Sequence, residues 1–225
     1  MKNTFITAAV LMAIATVAHA TDNSFLIAKN ASFQAKSQEL QKRIAEIEKI
    51  AGTSQNIDLG TRLLIKSYLL PPLKDGRETL VINSAKMTGA LAPLGSDIQV
   101  ASNIDICNGG DTAVVDAAST KQATTAGSLK QVDEVGVSLA NGLKQISDPS
   151  KAAKVKWVLE QANPGNAKAG KKVDDGILAY KQLIWIHKEI RTYVDQQNTA
   201  LLGYIGTNTA AAGHCGSIEV AAKPK

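Results

Sequence analysis

The sequence is poor in aromatic residues, cysteine and histidine, and it lacks the short motifs that mark the common classes of enzyme. Aromatic residues make up 4% of the 225 residues, and there are two cysteines and three histidines. There is no Gly-x-Ser-x-Gly elbow, no Gly-x-x-x-x-Gly-Lys-Ser/Thr phosphate loop and no His-Glu-x-x-His pair. We therefore predict that the protein is not an enzyme and has no catalytic residue, cofactor or metal site.

The sequence also lacks a block of charge of one sign and, after its N-terminus, any long apolar run. The net charge is +5, and acids are interleaved with the 25 lysines and arginines along most of the chain. Nucleic-acid-binding domains concentrate basic residues on one face, so we predict no nucleic-acid partner. No later stretch approaches the roughly 20 apolar residues of a spanning helix, which predicts no integral membrane segment in the mature chain.

What is present at the N-terminus is the pattern of a secretory signal peptide. Lys2 gives a positive start, residues 5–17 are largely apolar, and Ala18-His19-Ala20 has small residues on either side of His19. We expect cleavage after Ala20, so that residues 1–20 are removed. The mature chain is then expected in the periplasm or at the cell surface.

Cys107 and Cys215 both lie among residues that favour turns. In an oxidising compartment an even number of cysteines favours a disulfide. We predict that the two pair and close a loop of roughly 100 residues, which would contribute up to about 4–5 kcal/mol on the chain-entropy model. A link between two chains stays an alternative, whereas a metal site that adds His214 would have too few ligands at the wrong spacing.

Hydrophobic periodicity predicts three long amphipathic helices, at 24–51, 119–146 and 171–205. In the first, which we expect Gly52 to end, apolar side chains recur seven residues apart: Leu26, Phe33, Leu40 and Ile47. A short helix is predicted at 150–162, after Asp148-Pro149, a good N-cap and first-turn pair. The third long helix has two adjoining apolar stripes, so we expect it to contact two neighbours.

The remaining segments are predicted to lie outside a bundle of these helices. An apolar pattern over 59–70 is followed by Pro71-Pro72, which we expect to end that helix. Region 53–118 would then be a small, mostly helical appendage between the first and second long helices, and 206–225 a flexible tail. The predicted fold is all-α, an elongated three-helix bundle in a single domain, 21–225.

Both tryptophans are predicted to lie away from the apolar faces of their helices. On a helical wheel Trp157 points almost opposite to the apolar face of the short helix, and Trp185 stands with Leu178 beside Lys181 and Lys188. Exposed tryptophan next to cations is typical of a contact surface. These five residues are therefore the candidate protein contacts. The alternative is that the two tryptophans pack the short helix onto the bundle.

Residues 38–72 carry a set of local motifs in a fixed order. They are Leu40-Gln41-Lys42-Arg43-Ile44, Ile50-Ala51-Gly52, Leu59-Gly60, Leu63-Leu64 and Ser67-Tyr68-Leu69-Leu70-Pro71. This order resembles the minor pilin family of type IV secretion systems, with Ala51 in place of the usual threonine and a second leucine before Pro71. The resemblance implies an exported three-helix bundle with a small helical appendage that serves in pilus assembly and in contact at the pilus tip.

Export, a helical bundle and this resemblance together predict a function. We expect a non-enzymatic subunit of a type IV secretion or conjugation apparatus, associated with the pilus and acting through contacts with other proteins of the apparatus. The alternative is a periplasmic binding or inhibitory protein that sequesters an envelope partner. The sequence leaves the partner and the oligomeric state open.

Overall fold

The structure, a computed structural model, describes residues 24–52, 58–94, 112–163 and 168–221. These ranges are almost entirely helical and contain no strand, so the described chain is all-α as predicted. A π-helical segment, Ile65–Leu69, joins the second helix to the third, and a 3-10 turn, Ala92–Leu94, follows the third. The helices are α1 (Ser24–Gly52), α2 (Leu59–Leu64), α3 (Leu70–Leu91), α4 (Thr112–Ser147), α5 (Pro149–Ala162) and α6 (Lys171–Ala221).

The described residues fall into two compact units. Unit 1 consists of the described residues within Met1–Ile27, Ala90–Lys130 and Arg191–Lys225. Unit 2 consists of those within Ala28–Gly89 and Gln131–Ile190. The candidate contact residues all belong to unit 2. The prediction of a single domain over 21–225 stays a prediction.

The heptad pattern of α1 is confirmed. Leu26, Phe33, Leu40 and Ile47 are all buried, and the helix ends at Gly52. Burying a leucine, isoleucine or phenylalanine side chain contributes about 1.5–3 kcal/mol. The stripe therefore supplies a large share of the apolar burial of α1.

α3 belongs to the helical bundle of unit 2, and the predicted three-helix bundle with an appendage is not confirmed. Its inner face buries Leu80. The hydroxyl of Ser37 on α1 donates to the carbonyl of Leu80 at 3.4 Å, and Asn83 donates to the hydroxyl of Ser138 on α4 at 3.1 Å. α3 therefore packs between α1 and α4 as a full member of the bundle.

Pro71 and Pro72 lie in the first turn of α3 and do not end a helix. Proline has no N–H to donate to the preceding turn, so within a helix it is found where the regular i→i−4 pattern is interrupted. The π-helical segment comes immediately before, and its last bond runs from the N–H of Leu70 to the carbonyl of Ile65. The chain consequently stays helical from Leu59 to Leu91, and the predicted stop is wrong.

α6 completes unit 2 by packing against α1. The Nζ of Lys172 lies 2.8 Å from Glu46, and the Nζ of Lys29 lies 2.8 Å from Glu189. The residue near the start of α1, Lys29, pairs with the later residue of α6, and the residue near the end of α1, Glu46, pairs with the earlier one. α1 and α6 therefore run antiparallel. Unit 2 is thus a ring of four helices, α1, α3, α4 and α6, with α2 and α5 added.

On its other side α6 packs against two glycines of α4. His187 is buried, and its Nε2 donates to the carbonyl of Val132 at 2.8 Å. A Cβ on Gly136 would lie 2.5 Å from Cε1 of His187, and a Cβ on Gly142 would overlap the hydroxyl of Tyr180. Side-chain atoms are close-packed in such interiors. Both positions therefore need glycine for the two helices to approach this closely.

Tyr180 provides a test of this packing at alkaline pH. Burial raises the pKa of Tyr180 to about 12 from an ordinary value of 10.0. The unfolded chain therefore loses this proton first, and the free energy of unfolding should fall by roughly 2–3 kcal/mol as the pH rises from about 10 to about 12. We expect Tyr180→Phe to remove this pH-dependent fall in the free energy of unfolding. Urea unfolding at each pH, followed by circular dichroism, measures it. Tyr68, which is 68% exposed, supplies the control Tyr68→Phe, which should leave it unchanged.

Of three helix ends predicted for the later part of the chain, the structure confirms one and differs at two. Asp148 caps α5 by accepting the N–H of Lys151 at 2.9 Å, and Pro149 is its first residue, as predicted. α4 begins at Thr112 and not at 119, and α6 continues to Ala221 and not to 205. In this extension the hydroxyl of Thr207 donates to a backbone carbonyl one turn earlier. The predicted end of this helix at 205 is therefore wrong, and the flexible tail over 206–225 stays a prediction.

Candidate contact surfaces

The residues predicted to make protein contacts are all exposed. Trp157 is 49% exposed, Trp185 59% and Leu178 56%, and both lysines, Lys181 and Lys188, are exposed as well. Their helices nevertheless bury other faces. The helical-wheel prediction of exposure is therefore confirmed, while the predicted contact role stays a prediction.

Residues next to Trp157 in the sequence anchor α5. Its neighbours Val158 and Leu159 are 4% and 0% exposed and pack in an apolar cluster at this end of unit 2. The cluster also draws on α1, the π-helical segment and α6: Ile47, Ala51, Ile65, Leu69, Ala169 and Val173. The alternative interpretation, that the tryptophans pack the short helix onto the bundle, stays open, because about half of Trp157 is buried.

The structure does not bring the two tryptophans together. Lys156 of α5 pairs with Asp174 of α6 at 2.6 Å, and Glu160, one turn later on α5, lies beside Gly170, just before α6. The two helices therefore run antiparallel, which sets Trp157 level with Val173. Trp185 lies more than three turns further along α6, about 18 Å away at 1.5 Å per residue. The candidate residues therefore form two surfaces.

The first, called here the Trp185 surface, lies on α6 and comprises Leu178, Lys181, Trp185 and Lys188. The spacings of three and four residues place them on one face of the helix. Neither lysine pairs with a carboxylate among the described residues. The surface is thus apolar at its centre and positively charged at its edges.

Lys29 of α1 holds Trp185 from one side. Its Nζ lies 5.3 Å from the centroid of the indole ring and 2.8 Å from Oε2 of Glu189. A cation–π contact at a partly exposed site contributes about 0.5–1 kcal/mol. These contacts restrict the ring before any partner binds, which lowers the entropy cost of binding.

A set of ion pairs on α1 lies between the two ion pairs that join α1 to α6. Glu39 accepts hydrogen bonds from Lys36 at 2.6 Å and from Arg43 at 2.8 Å. The hydrogen bond from Lys36, and next that from Arg43, hold the pKa of Glu39 below its ordinary value. Two cations share one carboxylate here, so this group keeps a net charge of +1 on α1, in addition to the charges of Lys181 and Lys188 on the Trp185 surface.

The second, called here the Tyr68 surface, was not found as a surface by sequence reasoning. Lys154 of α5 lies over the ring of Tyr68 at 5.0 Å, and Trp157 follows one turn later. Leu59, Leu63 and Tyr68 are 70%, 55% and 68% exposed. The sequence did contain a sign of a positively charged surface here, because residues 59–74 include three basic residues and no acidic one.

Two local features position this surface. Asp58 caps α2 by accepting the N–H of Thr61 at 2.9 Å and its hydroxyl at 2.6 Å, and these bonds, the hydroxyl first, lower the pKa of Asp58. Ile65 and Leu69 are buried in the apolar cluster, and α2 contacts α5. Their burial turns the remaining side chains of this segment outward.

Several expected features lie beyond what the structure tests. Cys107 is outside the described residues and the side chain of Cys215 is not described, so their disulfide stays a prediction. Within the described ranges, no three His, Cys, Asp or Glu side chains are grouped so that they could hold a metal ion. None of the helices in those ranges is long and apolar enough to span a bilayer.

The chain was compared with family models, curated proteins and solved structures. No family model, curated protein or solved structure matches this chain.

Proposed function

We propose that this chain is an exported, non-enzymatic subunit of a type IV secretion or conjugation apparatus, associated with the pilus and acting through protein–protein contacts. The observation that carries the proposal is the Trp185 surface. A tryptophan that is 59% exposed, and restrained by Lys29, presents a large apolar area on a rigid helix. Tryptophan in such a position is the residue type most often found to dominate binding energy.

The assignment to a secretion apparatus rests on the sequence. The signal-peptide pattern of residues 1–20 supports export, and the motifs of residues 38–72 support the minor pilin family. An all-α bundle with a rigid contact face is compatible with assembly into a larger structure. The periplasmic sequestering protein is the competing interpretation, and it makes a different prediction about location.

The location is tested by shearing surface appendages from cells that express the native system. We expect the protein in the filament fraction, and we expect it to leave that fraction when the secretion channel is deleted. Recovery only as a free periplasmic protein would contradict the pilus proposal. A crosslinking search for an envelope partner would then follow.

The contact role is tested by Trp185→Ala. Removing the ring from the centre of an interface should cost about 2 kcal/mol or more of binding, and transfer or filament association should fall at least tenfold. The free energy of unfolding should change by less than about 1 kcal/mol, because the ring is exposed. Val137 is 63% exposed on α4, and Val137→Ala should leave association unchanged. A large loss of stability in Trp185→Ala would instead make the ring a structural element.

A further inference from the structure

The segments that form the Tyr68 surface carry exposed cations that pair with no described carboxylate. Arg62, Lys66, Lys151 and Lys154 are exposed, and none pairs with a carboxylate in the described ranges. Lys154 instead lies over the ring of Tyr68 at 5.0 Å. We propose that the Tyr68 surface binds the anionic lipid surface of a membrane.

The apolar side chains of this surface have the chemistry of the membrane interface. Tyr68 and Trp157 each combine an apolar ring with a polar hydroxyl or N–H group, which suits the headgroup level. Leu59 and Leu63, which are 70% and 55% exposed, add aliphatic groups that can reach the acyl boundary. Lysine and arginine have long apolar stems that let their charged ends extend to phosphates.

Charge complementarity favours a lipid surface as the occupant. An anionic leaflet attracts each nearby cation, and cations lie on α2, on the π-helical segment and on α5. A fluid array of phosphates can meet charges spread over separate helices, whereas an acidic polypeptide would need its carboxylates in matching register. Binding of an acidic polypeptide is the competing outcome of the test.

The contact is peripheral and does not depend on the proposed role in secretion. No described helix can span a bilayer, and α2 is only six residues long. The Tyr68 surface and the Trp185 surface lie on different parts of unit 2. Either proposal can therefore fail while the other holds.

Because the chain has two tryptophans, each can be observed alone in the mature protein, residues 21–225. Trp185→Phe leaves Trp157 as the reporter, and Trp157→Phe leaves Trp185. With vesicles of phosphatidylglycerol and phosphatidylethanolamine we expect a blue shift of Trp157 emission and quenching by brominated acyl chains. Trp185 emission should not change. Phosphatidylcholine vesicles should produce neither effect, and added salt should reverse both.

Charge variants test the electrostatic part of the proposal. Each cation near an anionic leaflet strengthens partitioning about fivefold, so Lys66→Gln with Lys154→Gln should weaken vesicle binding about 25-fold. Lys181→Gln with Lys188→Gln removes the same charge from the Trp185 surface and should weaken binding less than about threefold.

Four outcomes would overturn the proposal. They are equal quenching of Trp185, equal binding to phosphatidylcholine, equal loss in the two pairs of charge variants, and binding of polyglutamate without binding of vesicles. The last would identify an acidic protein partner in place of lipid.

Discussion

Adding a methyl group at both Gly136 and Gly142 is expected to lower the free energy of unfolding by about 2–4 kcal/mol. Each new Cβ would overlap a buried aromatic side chain of α6, His187 or Tyr180. Overpacking of this kind costs about 1–3 kcal/mol per site, and the better helix propensity of alanine offsets only part of it. Urea unfolding of Gly136→Ala/Gly142→Ala, followed by circular dichroism, measures the effect.

The control uses the same chemical change at glycines that face open space. A Cβ on Gly89 of α3 or on Gly127 of α4 would meet no heavy atom within 4 Å. Gly89→Ala/Gly127→Ala should therefore stabilise the protein by about 1–2 kcal/mol through helix propensity. The two double variants should differ in sign. A gain in stability from both would mean that α4 and α6 are not in close contact.

Leu159→Ala is expected to lower the free energy of unfolding by about 2–5 kcal/mol, because Leu159 is fully buried where α5 meets the apolar cluster. Two positions earlier on the same helix, Trp157→Ala should cost less than about 1 kcal/mol, since its ring is 49% exposed. Chemical unfolding of both variants measures the difference. If Trp157→Ala were the more damaging change, the tryptophan would be what anchors α5.

The features that could be predicted from sequence are set by local chemistry. The seven-residue spacing of Leu26, Phe33 and the apolar residues that follow identifies the buried face of α1 without knowledge of any other helix. Asp148 and Pro149 start α5 because capping depends only on neighbouring backbone groups. The exposure of Trp157 and Trp185 likewise follows from their angle to the apolar residues of their own helices.

The packing of α3 was not predicted because polar residues interrupt its buried apolar face. Ser84 donates to the hydroxyl of Ser37 at 2.8 Å, and Asn83 donates to Ser138. A search for hydrophobic periodicity treats serine and asparagine as exposed residues, even where they are buried. The pair Pro71 and Pro72 then suggested an end to a helix that the π-helical segment allows to continue.

The exposure of the individual candidate residues could be predicted, but not which of them lie together on one surface. The wheel gives the exposure of Trp157, but not the axial level at which α5 meets α6, which depends on Lys156 and Asp174. Likewise Tyr68 becomes part of a surface only because α2 contacts α5 and brings Lys154 over its ring. These relations arise from tertiary packing between segments distant in sequence.

The two glycine contacts between α4 and α6 also restrict how these helices can move within unit 2. A slide of one helical turn, about 5.4 Å, would carry His187 and Tyr180 away from Gly136 and Gly142 and against residues that have side chains. Shear between packed helices is one of the common ways in which proteins change shape. That route is closed to this pair, whereas Lys29 of α1 contacts Trp185 only through its side chain and can rotate away from the ring.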